Sequence, residues 1–269
     1  MDDNPLDRLV AEVRAGARYR TISADLVRRV GEAELAKRRS FKDAVKATRS
    51  KLHQVGGAYL ETIPPYKRWE AELASLGPSP EKEALKELCR KWMVLHISTR
   101  DRLTALDRFY TEPIGRIAPI QSILDLACGL NPLAIPWMPL AEGATYTACD
   151  IYADMVEFIQ FFFNSAGVKG RAQVCDLVRT IPPDSVQLAL LLNTIPCLEQ
   201  QEPEIGRTLM ESIQAEHILV SFPVHSLGGH AKGMLQNYGE RFDRIIAGKS
   251  WKVERFEIGG ELVFLVDKG

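Results

Sequence analysis

The sequence contains no hydrophobic run long enough to cross a bilayer, and no apolar segment follows its first residues. The longest apolar stretch, residues 188–192, is far shorter than the roughly 20 residues that a spanning helix needs. Residues 1–5 carry two acids instead of the basic and apolar regions of a signal peptide. We therefore expect a cytoplasmic protein with neither a membrane span nor a targeting helix.

The chain also lacks the cysteine spacing of a metal-binding or disulfide-bonded domain. Its five cysteines are widely separated, with no C-x-x-C pair and no histidine at ligand spacing. This pattern argues against a structural zinc and against a disulfide framework. We expect buried thiols and no bound metal.

Positive charge is abundant in only one segment of the chain. The overall formal charge is −1, yet between Arg14 and Lys51 twelve lysines and arginines face four acids, a local net charge of +8. Such asymmetry is expected of a segment that binds a polyanion, although a solvated helix face would give the same count. We take Arg28, Arg29, Arg38 and Arg39 as candidate RNA contacts.

The first hundred residues have a helical pattern throughout. Apolar residues recur at helical spacing, Ser40 is a candidate N-cap for a helix over residues 41–55, and Gly56-Gly57 would end it. After a double proline, residues 66–76 form a further predicted helix. Ser79, followed by proline, is the predicted cap of another that runs to about residue 96.

After Pro119 short apolar runs alternate with helical stretches, which indicates β-α-β units and a mostly parallel sheet. A final pair of strands is separated by Gly259-Gly260, a hairpin signal. The predicted strands cover residues 122–127, 145–149, 172–175, 186–192, 217–222, 251–258 and 261–266. The predicted fold class is α/β: a Rossmann-like class I S-adenosylmethionine-dependent methyltransferase sheet over residues 105–269, preceded by a basic all-helical domain over residues 1–104.

Acids stand at the ends of the first three predicted strands, at Asp125, Asp150 and Asp176. Because the carboxyl ends of parallel strands meet at one edge of a sheet, these acids should converge on a ligand crevice. Asp150 is placed to accept hydrogen bonds from the ribose hydroxyls of a nucleoside cofactor. Gly129, in the turn after the first strand, removes a Cβ that would block the approach of the ligand.

That turn lacks the G-x-G-x-x-G pattern that seats a dinucleotide pyrophosphate. It reads ACGLNP over residues 127–132, with a proline where a phosphate-binding helix would begin. An oxidoreductase that uses a dinucleotide is therefore disfavoured. S-adenosylmethionine, which carries ribose, adenine and an amino-acid tail but no phosphate, fits the turn better.

Four longer motifs carry a family resemblance that extends from about Tyr19 to Val266. They are HISTRDRL at residues 96–103, DLACGLNPL at 125–133, LLNTIPCLE at 191–199 and SFPVHSLGGHAKGM at 221–234. The chain resembles the aminoglycoside-resistance methyltransferases that modify N7 of a guanine in the decoding site of 16S ribosomal RNA. The resemblance implies S-adenosylmethionine as cofactor, the 30S subunit as partner, and no protein partner.

The resemblance also implies a set of cofactor-binding residues. Arg102 would pair with the carboxylate of S-adenosylmethionine, since a guanidinium can form a two-pronged contact with a carboxylate. Without the resemblance, an ion pair of Arg102 with Asp101 or Asp107 would be the simpler reading. The other implied cofactor contacts are His96, Ile97, Ser98, Tyr59, Ala127, Gly129, Asp150, Asp176 and Leu177.

Guanine N7 has a free lone pair, so its methylation needs no general base, and catalysis would consist of positioning and electrostatics. Glu199 is the acid that the resemblance places near the reaction centre. Asn193 and His225 depart from the family pattern, in which we align a lysine and an Arg or Lys, respectively. Asn193 can still donate hydrogen bonds, so Asn193 and Glu199 are the candidate catalytic residues, with positioning roles. His225 and Lys232 are candidate RNA contacts.

Three hypotheses therefore stand. The first is a 16S rRNA guanine-N7 methyltransferase that confers aminoglycoside resistance. The second, motivated by Asn193 and His225, is an RNA-binding protein of the same fold with another RNA target or no turnover. The third is the disfavoured oxidoreductase, which would bind nicotinamide instead of S-adenosylmethionine.

Overall fold

The computed structural model describes residues 4–60, 62–78, 80–224 and 233–269. Within these ranges the first part of the chain is helical, as predicted. Its helices are α1 (Pro5–Arg14), α2 (Ala24–Lys37), α3 (Phe41–Leu52), α4 (Tyr66–Ala74), α5 (Lys82–Met93), α6 (Ile97–Arg102) and α7 (Leu106–Ile114).

Local sequence signals explain where several of these helices begin and end. Ser40 caps α3, because its side-chain oxygen accepts a hydrogen bond from the Asp43 backbone N–H at 3.1 Å. The α-helix stops at Leu52, earlier than predicted, and the chain continues as a π-helical turn, His53–Gly57. Helix α5 begins at Lys82, and the predicted cap at Ser79 lies outside the described residues.

The second part of the chain forms one seven-stranded sheet. Its strands are β1 (Ile120–Leu126), β2 (Leu140–Asp150), β3 (Lys169–Val174), β4 (Val186–Leu192), β5 (Ala215–Pro223), β6 (Lys252–Ile258) and β7 (Glu261–Asp267). Their order is β3-β2-β1-β4-β5-β7-β6, with β1 to β5 parallel and the β6–β7 hairpin antiparallel. The predicted α/β sheet is confirmed.

Strands β1, β2, β3 and β5 begin earlier than predicted, β2 and β3 by three residues or more. Strand β2 starts at Leu140 rather than 145, because it includes the half-exposed segment around Gly143 before its buried end. Strand β3 starts at Lys169 and lies at one edge of the sheet, where most of its residues are partly exposed. The apolar run therefore identifies the buried half of β2 and only the second half of β3, which has no buried residue.

Helices cover both faces of the sheet, so the central strands are almost wholly buried. The remaining helices are α8 (Ala153–Ser165), α9 (Ile195–Leu198), α10 (Ile205–Ser212) and α11 (Met234–Ile245). Helix α8 packs on the same face as α1 to α5, whereas α10 and α11 pack on the opposite face. Short 3-10 turns follow α6 and β1.

An aromatic cluster joins the helical region to the sheet. Trp69 of α4 stacks on Trp92 of α5, with ring centroids 5.2 Å apart. Both rings meet Phe158 of α8 edge-on, at 5.3 and 5.6 Å. The apolar side chains of the helical region and of this sheet face therefore form one continuous core. The predicted boundary at residues 104/105 does not coincide with a break in packing.

Backbone hydrogen bonds fix the start of α2 against the loop that follows β2. Ser23 N–H donates to the Ile151 carbonyl at 2.8 Å, and Ala153 N–H donates to the Thr21 carbonyl at 2.8 Å. Because β2 ends at Asp150, this contact holds α2 beside the carboxyl edge of the sheet.

Candidate active site

A cleft lies at the carboxyl ends of strands β1 to β4. It encloses about 830 Å³ when its open mouth is counted. Eight of the ten predicted cofactor residues line it: Tyr59, His96, Ser98, Arg102, Ala127, Asp150, Asp176 and Leu177. Asp125, Asp150 and Asp176 all line this cleft, as their positions at the strand ends predicted.

The turn after β1 has an unusual backbone. Ala127 has φ of 52° and Gly129 has φ of 51°, the left-handed region that residues with a Cβ rarely adopt. A Cβ on Gly129 would lie 2.6 Å from His96 Nε2, so only glycine fits against this imidazole. Gly129 thus makes room for a side chain of the protein, whereas the sequence predicted room for the ligand.

Asp150 accepts three backbone hydrogen bonds. Gly129 N–H donates to Oδ2 at 2.9 Å, while Ile151 and Tyr152 N–H donate to Oδ1 at 2.7 and 3.3 Å. Burial raises the pKa of Asp150, and these hydrogen bonds oppose the rise. A carboxylate has about four acceptor positions, so Asp150 retains one, on Oδ2, beyond these three hydrogen bonds.

Asp125 lines the cleft and is at the centre of a buried hydrogen-bond network. Its Oδ2 accepts from Asn131 Nδ2 at 2.9 Å and from the Tyr146 hydroxyl at 2.7 Å, and the Tyr110 hydroxyl donates to Asn131 Oδ1. Burial raises the pKa of Asp125 to about 6, although both hydrogen bonds that it accepts favour the charged form.

Arg102 connects this network to the C-terminal hairpin. The guanidinium is 1% exposed and forms a two-pronged ion pair with Glu261 at 2.6 and 3.2 Å. It also donates to Asn131 Oδ1 at 3.3 Å and lies 4.8 Å from the centre of the Phe109 ring. Asp101 and Asp107 were the partners of Arg102 suggested by the sequence, and the structure pairs Arg102 with neither of them. Glu261 was not identified from the sequence as a partner of Arg102, although it is an acid at the start of strand β7, directly before an apolar run.

His96 and Tyr59 form one wall of the cleft. Their rings stack with centroids 5.8 Å apart, and the Tyr59 hydroxyl lies 2.9 Å from Cys197 Sγ. Burial, and after it the positive charge of Arg102, lowers the pKa of His96 to about 3. The imidazole is therefore neutral at physiological pH. Its Nδ1 is buried without a hydrogen-bond partner among the described residues.

Asn193 lines the cleft directly after β4. Its φ of 57° places it, like Ala127, in the left-handed region, which asparagine tolerates better than most residues. Its Nδ2 donates to Ser98 Oγ at 3.2 Å, and its backbone N–H lies 3.1 Å from the Ser221 carbonyl. The side chain is 6% exposed, so its amide joins α6 to β4 rather than projecting into solvent.

Asp176 and Arg29 form an ion pair across the cleft wall. Arg29 Nε lies 2.7 Å from Asp176 Oδ2, and Arg29 Nη2 lies 3.0 Å from Oδ1. Nη2 also donates to Gln201 Oε1 at 2.8 Å. Arg29 is therefore directed towards the cleft, and it is not one of the exposed arginines of the basic segment.

Three predicted cofactor-binding or catalytic residues are not among the described residues that line the cleft: Gly129, whose position against His96 is described above, Ile97 and Glu199. The Ile97 backbone N–H donates to the Tyr59 carbonyl at 3.0 Å, which holds α6 against the Tyr59 segment. Glu199 forms an ion pair with Arg241 of α11 and lines a separate surface depression with Arg207 and Arg244. The structure therefore does not bring Glu199 to the strand-end cleft.

The described residues include no group of three or more His, Cys, Asp or Glu that could hold a metal ion. No helix among them is both long and apolar enough to cross a membrane.

Residues 15–265 match the family described as ribosomal RNA methyltransferase (FmrO). The chain belongs to this family. A 16S rRNA (guanine(1405)-N(7))-methyltransferase of Micromonospora rosea is 37% identical over 99% of this chain and 98% of its own length. A protein of the same description from Serratia marcescens is 31% identical over 96% and 97%.

Two solved structures of 16S rRNA methyltransferases have the same architecture as this chain. The crystal structure of the 16S rRNA methyltransferase RmtF in complex with S-adenosyl-L-homocysteine has a TM-score of 0.86, with 31% identity and full coverage of both chains. That of the 16S rRNA methylase RmtB has a TM-score of 0.82, with 27% identity over 98% of each. The predicted family and fold are confirmed, and the oxidoreductase alternative is wrong.

The basic segment of this FmrO-family chain is exposed mainly where α2 meets α3. Arg39 and Lys46 are exposed there and line a shallow groove together with Lys37 and Arg38. Arg28 and Arg38 are each about half-exposed and paired with acids, Asp7 and Glu34 respectively. The remaining candidate RNA contacts, His225 and Lys232, lie outside the described residues.

Proposed function

We propose that this protein transfers the methyl group of S-adenosylmethionine to N7 of guanine 1405 of 16S rRNA in the 30S subunit, and that this modification confers aminoglycoside resistance. The observation that carries the proposal is the strand-end cleft with its buried acids, in a chain of the ribosomal RNA methyltransferase family. Relatives at 37% and 31% identity over nearly their full length carry this specificity in their names.

The cleft fits the cofactor chemically. Asp150 offers one acceptor position to a ribose hydroxyl, and Leu177 is an apolar wall beside it. His96 Nδ1 is a buried polar atom that lacks a partner, as expected in a site built to receive a polar ligand. Arg102 lines the cleft with Glu261 already bound, so it would contact the carboxylate through its remaining N–H groups.

When bound, S-adenosylmethionine supplies an electrophilic methyl group on a sulfonium. The N7 lone pair forms the new carbon–nitrogen bond, the carbon–sulfur bond breaks with its electrons remaining on sulfur, and no proton moves. The side chains therefore need only hold the two reactants in line and accommodate positive charge that shifts to the base. The neutral His96 adds no repulsion to that charge.

Asn193 would contribute by position rather than by charge. Its amide is buried and bonded to Ser98, so it fixes the cleft wall beside the predicted target base. For Glu199, the ion pair with Arg241 assigns a structural role in holding α11. We propose that residues 1–104 contact RNA mainly through the groove between α2 and α3, where phosphates would meet Arg39 and Lys46.

Methyl transfer from labelled S-adenosylmethionine to purified bacterial 30S subunits tests the proposal. The modified nucleotide is mapped by chemical cleavage at N7-methylguanine. Subunits that carry adenine at position 1405 are the matched control, and we expect a single modified site in wild-type subunits and none in the control. Tight S-adenosylhomocysteine binding with no transfer would favour another RNA target or a protein without turnover. The buried, uncharged Asn193 would then be the reason for the missing transfer.

A further inference from the structure

Arg29 belongs to the helical region, and its guanidinium is bonded to Asp176, a residue that lines the cleft. Arg29 lies in the middle of α2, 147 positions before Asp176 in the sequence. The Arg29 side chain is 17% exposed and that of Asp176 is 8% exposed. An ion pair that is shielded from water and has two parallel hydrogen bonds is stronger than a surface ion pair, and it holds its side chains in a more defined orientation.

The hydrogen bonds from Arg29 also determine how many acceptor positions of the Asp176 carboxylate are left for a ligand. Oδ1 of Asp176 accepts from Arg29 Nη2 and from the Val178 backbone N–H, at 3.0 and 3.2 Å. Oδ2 accepts from Arg29 Nε at 2.7 Å. Of about four acceptor positions on a carboxylate, one therefore remains, on Oδ2. Without Arg29 the carboxylate could rotate, and its hydrogen bond to a ligand would no longer be preorganised.

Helix α2 itself forms part of the cleft. Leu26, one turn before Arg29 on the same helix face, is a lining residue, and Gln201 closes the same corner. The C-terminal end of α2 enters the basic groove at Lys37. One helix therefore borders both the cofactor cleft and the surface proposed to contact RNA.

We propose that Arg29 is a positioning residue of the cofactor site: it fixes Asp176 for a donor group of the cofactor and makes α2 a wall of the cleft. Cofactor binding then depends on correct docking of the region that contacts RNA. The inference rests on the proposed function, which supplies the identity of the ligand.

Calorimetric titration of the full chain with S-adenosylhomocysteine tests this assignment without RNA. Arg29→Ala should weaken affinity about tenfold. This corresponds to roughly 1.4 kcal/mol, the size of one lost charge-assisted hydrogen bond. Arg29→Lys keeps the charge but lacks the two-pronged geometry, so it should give a smaller loss, about threefold. Arg108→Ala, which removes an exposed Arg–Glu pair on α7, is the matched control and should bind as the wild type does.

A double-mutant cycle separates positioning from general damage to the fold. Asp176→Ala and the Arg29→Ala/Asp176→Ala double variant should bind equally weakly, because Arg29 acts through Asp176. Additive losses, or unchanged affinity of Arg29→Ala, would overturn the proposal. Should Arg29→Ala fail to fold, the same cycle run with Arg29→Lys gives the decision. If wild-type protein binds no S-adenosylhomocysteine, the proposed function fails instead, so the two failures are distinct.

Discussion

Asp150 illustrates how one buried side chain can serve the protein and a ligand together. Three backbone N–H groups surround its carboxylate, so the turn after β1 and the loop after β2 both depend on its charge. The single acceptor position that remains is fixed in direction before any ligand arrives. Such preorganisation increases affinity because little conformational freedom is lost on binding.

Replacing Asp150 should therefore remove cofactor binding. We expect Asp150→Ala to reduce S-adenosylhomocysteine affinity at least about 100-fold, because the variant loses the ligand contact and leaves buried N–H groups without an acceptor. Asp150→Asn should bind nearly as poorly, since its NH₂ group must face one of those N–H donors. Calorimetric titration measures both, with Asp154→Asn as control; wild-type affinity in Asp150→Ala would contradict the assignment.

His96 should give the fold a measurable dependence on pH. Its pKa is lowered to about 3 in the folded chain, against about 6.5 when unfolded, so the unfolded state takes up a proton first as the pH falls. The stabilisation is complete above pH 6.5 and is lost between pH 6.5 and 3. By pH 5 the loss is about 2 kcal/mol.

Urea unfolding at pH 7.5 and pH 5.0 checks this expectation. His96→Gln should show a smaller decrease in unfolding free energy than the wild type, whereas the exposed-residue control His53→Gln should behave like the wild type. An equal decrease in wild type and His96→Gln would rule out His96 as the source.

At this scale the sequence predicts the strand-end acids well and their partners poorly. Asp125, Asp150 and Asp176 follow apolar strands, so their convergence is a consequence of topology. The partners Arg29 and Glu261 lie 147 and 159 positions from the residues they meet, and no local pattern encodes such pairs. Arg29 was predicted as an RNA contact because charge counts do not distinguish the buried face of a helix from the exposed one.

At the scale of elements, the β6–β7 hairpin connects the sheet edge to the cofactor cleft. Gly259 and Gly260 form its turn at positive φ, and Glu261, directly after them, is 2% exposed and paired with Arg102. The hairpin sequence predicted two strands and a tight turn, all of which are confirmed. Its function as a support for α6 depends on three-dimensional contact and was not predicted.

Removing this support should be costly. Glu261→Ala would leave the Arg102 charge buried without its partner, and we expect a loss of about 3 kcal/mol in unfolding free energy. Glu257→Ala removes an exposed acid from the same hairpin and should change the free energy by less than about 0.5 kcal/mol. Denaturant titrations compare the two variants; similar losses would show that the buried pair has no special role.

In the molecule as a whole, positive charge is concentrated in the helical region, whereas the hydrophobic core is shared between that region and the sheet. The excess of positive charge is confined to the helical region, and four of its exposed basic residues, Lys37, Arg38, Arg39 and Lys46, line the groove between α2 and α3. The apolar side chains of that region are continuous with those of the sheet through Trp69, Trp92 and Phe158. Composition along the chain predicted two domains because it reports charge and period, and neither reveals a shared core.

Charge reversal in the groove should weaken ribosome binding without affecting the cofactor. For Arg39→Glu/Lys46→Glu we expect a strong decrease in 30S affinity and a salt dependence that becomes shallower by about one unit per lost phosphate contact. S-adenosylhomocysteine affinity should be unchanged, because neither residue lines the cleft. Filter binding over a salt series measures the slope, and Lys252→Glu, an exposed reversal on β6, is the control.

Leu26 lines the strand-end cleft from outside the sheet, and Arg29 of the same helix supports the lining residue Asp176. A synthetic compound that fills the cleft and extends to Leu26 would contact a group absent from any methyltransferase whose cofactor site is built from the sheet alone. Its selectivity would then come from the helical region, which offers a route to inhibitors that restore antibiotic sensitivity without blocking the methyltransferases of the patient.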